Sequence, residues 1–431
     1  MPATALLTDQ YELTMLAAAI RDGTANRRCV FEVFARRLPA GRRYGVVCGT
    51  DRVIEAIESF RFDDEALRFL AGILGADALR RLADYRFAGD VDGYPEGELY
   101  FPGSPVRTVA ASFADAVVLE TVLLSILNHD CAVASAAARM VSAAASRPLV
   151  EMGSRRTHEL AAVAAARAAY TAGFAATSNL AAGQRYGIPT TGTAAHAFTL
   201  LHAREADAFA SQVRTLGPST TLLVDTYDIT RGVAAAIQAA GTGLGAVRID
   251  SGDLGVLAQQ VRAQLDALGA TQTRIVVTSD LDEYAIAALA AAPVDSYGVG
   301  TSLVTGSGAP TAGMVYKLVE VDGRPVAKRS SDKASRGGRK TAVRRHRETG
   351  TATEEIVSAG PDPERRAGDV ALQVPVLRGG RRVEPAAEQA EVGRLGAARA
   401  RLRQRMVSLP WDGLKLSDGD PAIPTTFLVE S

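Results

Sequence analysis

The sequence predicts an α/β protein: an irregular α/β barrel joined to an α+β domain built from both chain ends. Three observations predict this. From about residue 148 to 303, a short apolar run, a polar or glycine-rich cluster and an alanine-rich helical segment recur in turn. That alternation is expected of parallel strands with helical crossovers. Seven such units follow one another, which favours a barrel, irregular if need be, over an open sheet. The segments before 148 and after 310 lack the alternation.

Composition fits this reading. The chain has 431 residues, 47% hydrophobic and 22% charged, as in ordinary globular proteins. Lys plus Arg and Asp plus Glu are 48 each. A zero balance argues against a broad nucleic-acid surface or a polybasic membrane patch, and leaves room for a local anion site. The length suits two or three domains, placed at 1–125, 126–310 and 311–431. Cys29, Cys48 and Cys131 form no CxxC pair, which argues against a disulfide framework or a structural zinc and for a reducing, cytoplasmic setting. Met1 to Thr14 lacks a basic start and carries Asp9 and Glu12, so no signal peptide is expected. The longest apolar stretch, Phe113 to Leu127, is interrupted by Asp115 and Glu120, too short and too charged to span a bilayer.

In chain order, Cys29–Ala35 and Gly45–Cys48 read as strands, and Thr50–Phe60 and Asp63–Leu74 as helices. The barrel strands are expected at Pro148–Met152, Gly173–Thr177, Ile188–Thr193, Thr221–Val224, Ala246–Ile249, Arg274–Thr278 and Ser296–Val299. Helices are expected between them at Thr157–Tyr170, His196–Leu216, Thr230–Ala240, Leu254–Leu268 and Asp282–Ala292. Met314–Val321 and Arg324–Arg329 flank Asp322-Gly323, a hairpin signal. The stretch 360–395 is rich in glycine, proline and charge and is expected to be loop. Residues 386–406 read as an amphipathic helix docked by its apolar face. Four of the five lysines fall between Lys317 and Lys340, a composition shift that marks a change of domain.

The polar clusters carry the chemistry. Each follows a predicted strand: Gly153 to Arg156, Ser178-Asn179, Gly192 to His196, Asp225 to Asp228, Asp250 to Asp253, Ser279-Asp280 and Gly298 to Thr301. In a parallel barrel these ends share one rim, where active sites are built. Ser, Asp and Gly also serve as caps and turns, so one cluster alone means little. Arg155, Arg156, His196 and Arg248 are not capping residues, and they converge on the same rim. Guanidinium forks suit carboxylate or phosphate. Backbone amides at Gly298, Gly300 and Thr301 could cradle a phosphate. Asp225, Asp228, Asp250 and Asp253 suit Mg²⁺ or sugar hydroxyls. The rim therefore reads as a site for a phosphorylated sugar with a metal. Salt-bridging between these arginines and aspartates is the competing structural reading. His196, where a strand gives way to a helix, could be an acid/base or a nucleophile. His129, His158, His202 and His346 lack such a setting and read as structural or surface residues.

Three other signals are weak. Gly241 to Gly245 ends a helix and precedes a strand, the reverse of a dinucleotide turn. Leu222 to Gly232 resembles a phosphoribosyl-diphosphate loop of another fold, but Asp225 and Asp228 are not adjacent. The basic run Arg336 to Lys340 has no interleaved aromatics to stack on bases.

Taken in order, the motifs resemble the nicotinate phosphoribosyltransferase family. They are Thr8-Asp9-Gln10-Tyr11-Glu12-Leu13-Thr14-Met15, Phe31-Glu32-Val33-Phe34, Glu151-Met152-Gly153-Ser154-Arg155-Arg156, Gly192-Thr193-Ala194-Ala195-His196, Val247-Arg248-Ile249-Asp250-Ser251-Gly252-Asp253-Leu254 and Gly298-Val299-Gly300-Thr301-Ser302. The order and spacing hold from residue 6 to about 345.

The resemblance implies a type II phosphoribosyltransferase-like barrel. It implies an ATP-coupled, ligase-class enzyme that joins nicotinate to phosphoribosyl diphosphate, releasing nicotinate mononucleotide and pyrophosphate for NAD biosynthesis. Its co-substrate is ATP and its cofactor Mg²⁺, held through phosphates with Asp225 and Asp250 as candidate ligands. By resemblance His196 is the residue that ATP phosphorylates. Tyr11, Phe174, Thr193, Arg155 and Arg248 meet nicotinate. Asp250, Ser251, Asp253, Ser279, Gly300 and Thr301 meet phosphoribosyl diphosphate. Family members are usually homodimers in which the tyrosine enters the neighbouring subunit's site; no nucleic-acid or membrane partner is implied. Two departures stand out: Ala197 follows His196 where many relatives have serine, and the metal-binding cysteines of some relatives are missing. The segment after 350 matches poorly, and no role is carried over from it.

Three rival readings remain. A nicotinamide phosphoribosyltransferase would want an acidic acceptor for the amide, whereas Arg155 and Arg248 suit a carboxylate. A barrel lyase or aldolase would want a Schiff-base lysine, and no lysine precedes Lys317. A non-catalytic sugar-phosphate-binding protein would release no pyrophosphate.

Overall fold

Strand pairing divides the chain into a mainly antiparallel part and an all-parallel part. The structure, a computed structural model, describes residues 4–328, 335–383 and 391–428. One unit comprises Met1–Ser135 with Ala309–Ser431, and the other Ala136–Gly308.

The first unit is built on a seven-stranded sheet in the order Arg324–Pro325, Met314–Val321, Arg28–Ala35, Arg107–Ser112, Asp90–Gly93, Val374–Arg378, Arg381–Arg382. Arg28–Ala35 pairs antiparallel on both sides, with Phe31 opposite Val109 on one flank and Leu318 on the other. Both chain ends thus meet in one sheet. Phe31 stacks on Tyr316 with ring centroids 4.7 Å apart, anchoring the core. The hairpin turn forms where expected: Asp322 (φ 50°) and Gly323 (φ 75°) are both left-handed, as a tight two-residue turn requires. Its second arm is shorter than expected, Arg324–Pro325, and residue 329 lies outside the described residues.

The stretch 360–395 is not all loop. Its apolar residues Val374, Val376 and Leu377 bring a strand to the sheet, although residues 384–390 lie outside the described residues. The amphipathic helix runs Glu391–Ser408 and buries Leu395, Ala398 and Leu402 on one face; 386–390 lie outside the described residues. The apolar stretch expected to end at Leu127 belongs to a longer helix, Glu120–Ala144, that length and composition alone would let cross a membrane; 72% of its most apolar window is buried in the protein, as in a core helix.

One cluster of buried charges in this unit is neutralised in place. Arg344, 1% exposed, donates to Glu98 and, at 2.8 Å, to Glu355. Arg405 donates to Glu98 at 2.6 Å, and the Tyr94 hydroxyl to Glu355 at 2.7 Å. Burial opposes the Glu98 charge, yet Arg344 and Arg405 hold its carboxyl below the usual carboxylate range.

The second unit holds a six-stranded, all-parallel sheet: β1 Leu149–Glu151, β2 Ala176–Thr177, β3 Thr221–Leu223, β4 Ala246–Ile249, β5 Arg274–Val277 and β6 Ser296–Val299. The order is β2-β1-β6-β5-β4-β3. This is a curled half-barrel. The expected seventh strand, Ile188–Thr193, makes a single bridge from Thr190 to Thr177, because Gly187, Pro189 and Gly192 interrupt it. The expected helix His196–Leu216 is two helices, His196–Leu200 and Glu205–Leu216. Helix Glu159–Ala172 buries seven alanines, a small-residue face that packs closely. Gly232 lies so near β3 that a Cβ would come 2.3 Å from the Val224 carbonyl.

Replacing Arg344 by Met is expected to destabilise the protein by about 3–5 kcal/mol, because buried Glu355 loses its cation and Glu98 one of two. Chemical denaturation of the full chain checks this, and an unchanged midpoint would contradict it.

Candidate active site

All six strands run parallel, so every strand end reaches the same edge of the sheet. The predicted clusters lie at that edge, and named contacts join them. Asp225, just after β3, accepts at 2.8 Å from both the Asp250 amide and the Ser251 hydroxyl after β4. Thr278, after β5, donates its hydroxyl to Asp250. Arg248 in β4 donates to the Ala194 carbonyl at 3.1 Å, tying β4 to the loop that precedes His196.

His196 starts its short helix, with Nδ1 3.1 Å from the Thr226 hydroxyl. Its Nε2 lies 3.8 Å from Asp250 and 4.0 Å from Asp225. The side chain is 40% exposed, so the imidazole is open to a ligand.

Several polar atoms here are buried without a hydrogen bond: Arg248 Nε, Asp225 Oδ1 and Glu205 Oε1. Leaving such atoms bare costs about 1–3 kcal/mol each, so they mark a place where a ligand is welcome. Burial pulls the Arg248 guanidinium below its usual range and neighbouring Arg155 adds to this, while Asp250 and Asp225 oppose it. Arg155 itself is exposed. Burial, then Asp225 and Asp228, push the Glu205 carboxyl up.

The turn after β6 presents Gly300 and exposed Thr301 at the start of a four-residue helix. The backbones are close: a Cβ on Gly300 would come 3.3 Å from the Met152 carbonyl. Ser279 after β5 is exposed and held at φ 139°, a conformation that side chains rarely adopt. Thr193 is exposed in the loop before His196.

At β1, Glu151 is fully buried. It accepts from the Gly153 amide and the Thr177 hydroxyl, and among the described residues no ion pair involves it. Burial raises its carboxyl above the usual range, against these hydrogen bonds.

The sequence reading needs adjusting in three places. Phe174 is 0% exposed and precedes β2, at the strand end opposite the rim, so it offers no ring face to a ligand there. Asp253 and Asp228 cap their helices, accepting from Val256 and Arg231, as acidic residues before a helix often do. Thr226 and Thr278, which hold His196 and Asp250, were not singled out. A hydroxyl residue after a strand looks like ordinary strand sequence, and only its place beside an aspartate or histidine cluster signals it. Tyr11 belongs to the other unit, 46% exposed on the first turn of helix Gln10–Arg21. Burial and Glu120 raise its phenol above the usual range. Neighbouring Glu12 is buried and accepts from the Thr121 amide at 2.9 Å.

The free oxygens of Asp225 and Asp250 are hard donors that suit Mg²⁺. Among the described residues, no three or more His, Cys, Asp or Glu side chains are grouped to hold a metal ion. The donor set therefore fits a cation carried mainly by a ligand's own phosphates.

Comparison with known proteins agrees with this chemistry. The family model described as the nicotinate phosphoribosyltransferase N-terminal domain matches residues 6–128, and the nicotinate phosphoribosyltransferase family model matches 148–354. Nicotinate phosphoribosyltransferase pncB1 of Mycobacterium tuberculosis is 66% identical over 429 residues, covering 97% of this chain and 94% of the relative. The Homo sapiens nicotinate phosphoribosyltransferase is 31% identical, covering 85% and 81%. The crystal structure of human nicotinic acid phosphoribosyltransferase superposes with a TM-score of 0.84 at 26% identity, covering 97% of each chain.

The raised Glu151 carboxyl has a consequence for stability. The native state keeps this proton where the unfolded chain, with a carboxyl pKa near ~4.3, has lost it. Stability from this group is therefore full below that value and falls as pH rises through the window above it. The thermal-stability advantage of the wild type over Glu151→Gln is expected to be larger at pH 5 than at pH 8. An equal advantage at both would contradict a raised pKa.

Proposed function

We infer, from a chain that belongs to the nicotinate phosphoribosyltransferase family, that the rim joins nicotinate to phosphoribosyl diphosphate, forming nicotinate mononucleotide and pyrophosphate in NAD biosynthesis. The observation that carries this is Arg248: a half-buried guanidinium whose Nε is buried without a hydrogen bond, influenced by Asp250 and Asp225 and tied to the loop before His196. A flat ring bearing a carboxylate complements it. An amide ring would offer a neutral oxygen and no charge to pair with it, which favours nicotinate over nicotinamide. The curled half-barrel and its α+β companion unit fit a type II phosphoribosyltransferase-like arrangement.

The chemistry is displacement at the ribose C1. The C1–O bond to pyrophosphate breaks with its electron pair, and the pyridine nitrogen forms the new C1–N bond through an oxocarbenium-like transition state. That nitrogen is already nucleophilic and no proton has to leave it, so catalysis lies in positioning and charge. Arg248 and Thr193 hold the carboxylate end, with Arg155 as a further grip on carboxylate or phosphate. Asp250 and Ser251 face the ribose, along with the oxygen of Asp253 that is not engaged in capping. Backbone amides at Gly300 and Thr301, with Ser279 opposite, grip phosphate. Asp225 and Asp250 would help hold Mg²⁺, which would neutralise charge on the leaving diphosphate.

ATP coupling runs through His196. Asp250 and Asp225 face Nε2 at 3.8 and 4.0 Å. This leaves Nδ1, held by only the Thr226 hydroxyl, as the nucleophile. Nδ1 bonds to the γ-phosphorus, and the bond to ADP breaks. The added negative charge reorders the rim through its neighbouring amides and arginines. The working form is a homodimer in which Tyr11 of one copy covers the other's nicotinate. Supporting this, Leu180, Leu200, Leu201 and Tyr227 stand exposed around the rim, an apolar collar that a second copy would cover.

Incubation with nicotinate, phosphoribosyl diphosphate, Mg²⁺ and ATP, counting phosphate and pyrophosphate separately, tests the reaction. Turnover of nicotinamide at or above that of nicotinate would overturn the substrate choice. His196→Ala is expected to keep its fold, lose the ATP requirement and retain slow transfer at poor affinity; an unchanged ATP requirement would refute the histidine's role. Arg248→Ala is expected to raise the nicotinate KM roughly 10–100-fold, the worth of one charge-assisted hydrogen bond. An unchanged KM would remove Arg248 from the pocket.

A further inference from the structure

Glu151 has no part in the reaction as proposed, yet it sits at the carboxyl end of a strand paired on both sides. β1 lies between β2 and β6, and Glu151 pairs with Thr177 on one side and Val299 on the other. A buried carboxyl without a cation is a costly choice at a position where an apolar side chain would pack more cheaply. Its contacts show what it holds together.

Glu151 accepts from the Gly153 amide. The next residue, Ser154, accepts from the Asn179 side-chain amide at 3.0 Å. The Asn179 backbone amide donates to the Thr177 hydroxyl at 2.9 Å, and that hydroxyl donates back to Glu151. Glu151, Gly153, Ser154, Asn179 and Thr177 thus form a closed circuit spanning the turns after β1 and β2. A third turn is pressed against it. Met152 donates to the Val299 carbonyl at 2.8 Å, and a Cβ on Gly153 would come 2.2 Å from Val304 and 3.1 Å from the Gly300 carbonyl. Gly153 therefore packs directly against the Gly300–Thr301 turn, with no room for a side chain between them.

We propose that Glu151 is a positioning residue for the anionic sugar substrate: it fixes the turn carrying Arg155 and Arg156 at a set distance from the amides of Gly300 and Thr301, so that both grip one phosphorylated ribose. This rests on the reading that phosphoribosyl diphosphate binds at this rim. Release of the circuit leaves the strands paired and lets the two turns drift, and a two-point grip weakens steeply with misplacement.

The test uses the full chain, with phosphoribosyl diphosphate binding measured by titration calorimetry beside steady-state kinetics. Glu151→Ala and Thr177→Val are expected to raise both Kd and KM for the diphosphate about tenfold, with kcat within about threefold. The conservative partners, Glu151→Gln and Thr177→Ser, restore most of the affinity, because each keeps a polar group in the circuit. A merely structural role would lower thermal stability without changing Kd. Wild-type Kd and KM in folded Glu151→Ala, or in Thr177→Val should the former not fold, would overturn the proposal. Conservative variants no tighter than the disruptive ones would do the same. A wild-type chain that binds the diphosphate yet transfers nothing to nicotinate would remove the function proposed above and leave the Kd comparison standing.

Discussion

The site depends on the shared direction of six strands. A parallel ladder sends every carboxyl end to one edge, and residues separated by up to 150 positions in sequence meet there without any special contact to draw them together. A single carboxylate then secures the assembly. Asp225 accepts from the amide and the hydroxyl of the next turn, which fixes β3 against β4 and leaves one oxygen bare. Remove the common direction and the same residues would be caps and turns scattered over two edges.

Two guanidinium groups, one in each unit, are partnered differently. In the antiparallel unit Arg344 sits between two carboxylates, and charges cancel where they lie. At the rim Arg248 donates to a backbone carbonyl rather than to a neighbouring aspartate. Electrostatic attraction there is left open, and stability that could come from closing those pairs is held back. Active sites commonly keep such groups apart, because a guanidinium already locked to an aspartate has nothing left for a ligand.

Much of this was legible in the sequence, for physical reasons. Ala246–Ile249 and Ser296–Val299 match the observed strands because buried parallel strands are short apolar runs with hydrophilic stops. The rim residues followed from those stops. Ile188–Thr193 misled because its apolar and β-branched residues suit a strand while its Gly and Pro forbid a ladder. The helix from His196 was drawn too long because the break at 201–204 carries no Gly or Pro. Phe174 misled for a different reason: a motif match fixes order along the chain, whereas burial depends on which strand end a residue occupies. The roles of Thr226, Thr278 and Glu151 could not be read at all, since each is defined by a partner at least 26 residues away.

The chain's lysines all lie at or beyond Lys317, so the parallel unit has none. Every lysine amine belongs to the antiparallel unit. Amine-directed reagents, whether dyes, biotin esters or cross-linkers, will therefore decorate that unit alone. A chain tethered to a surface through its amines keeps the half-barrel chemically untouched, with its guanidinium groups and imidazole in native form.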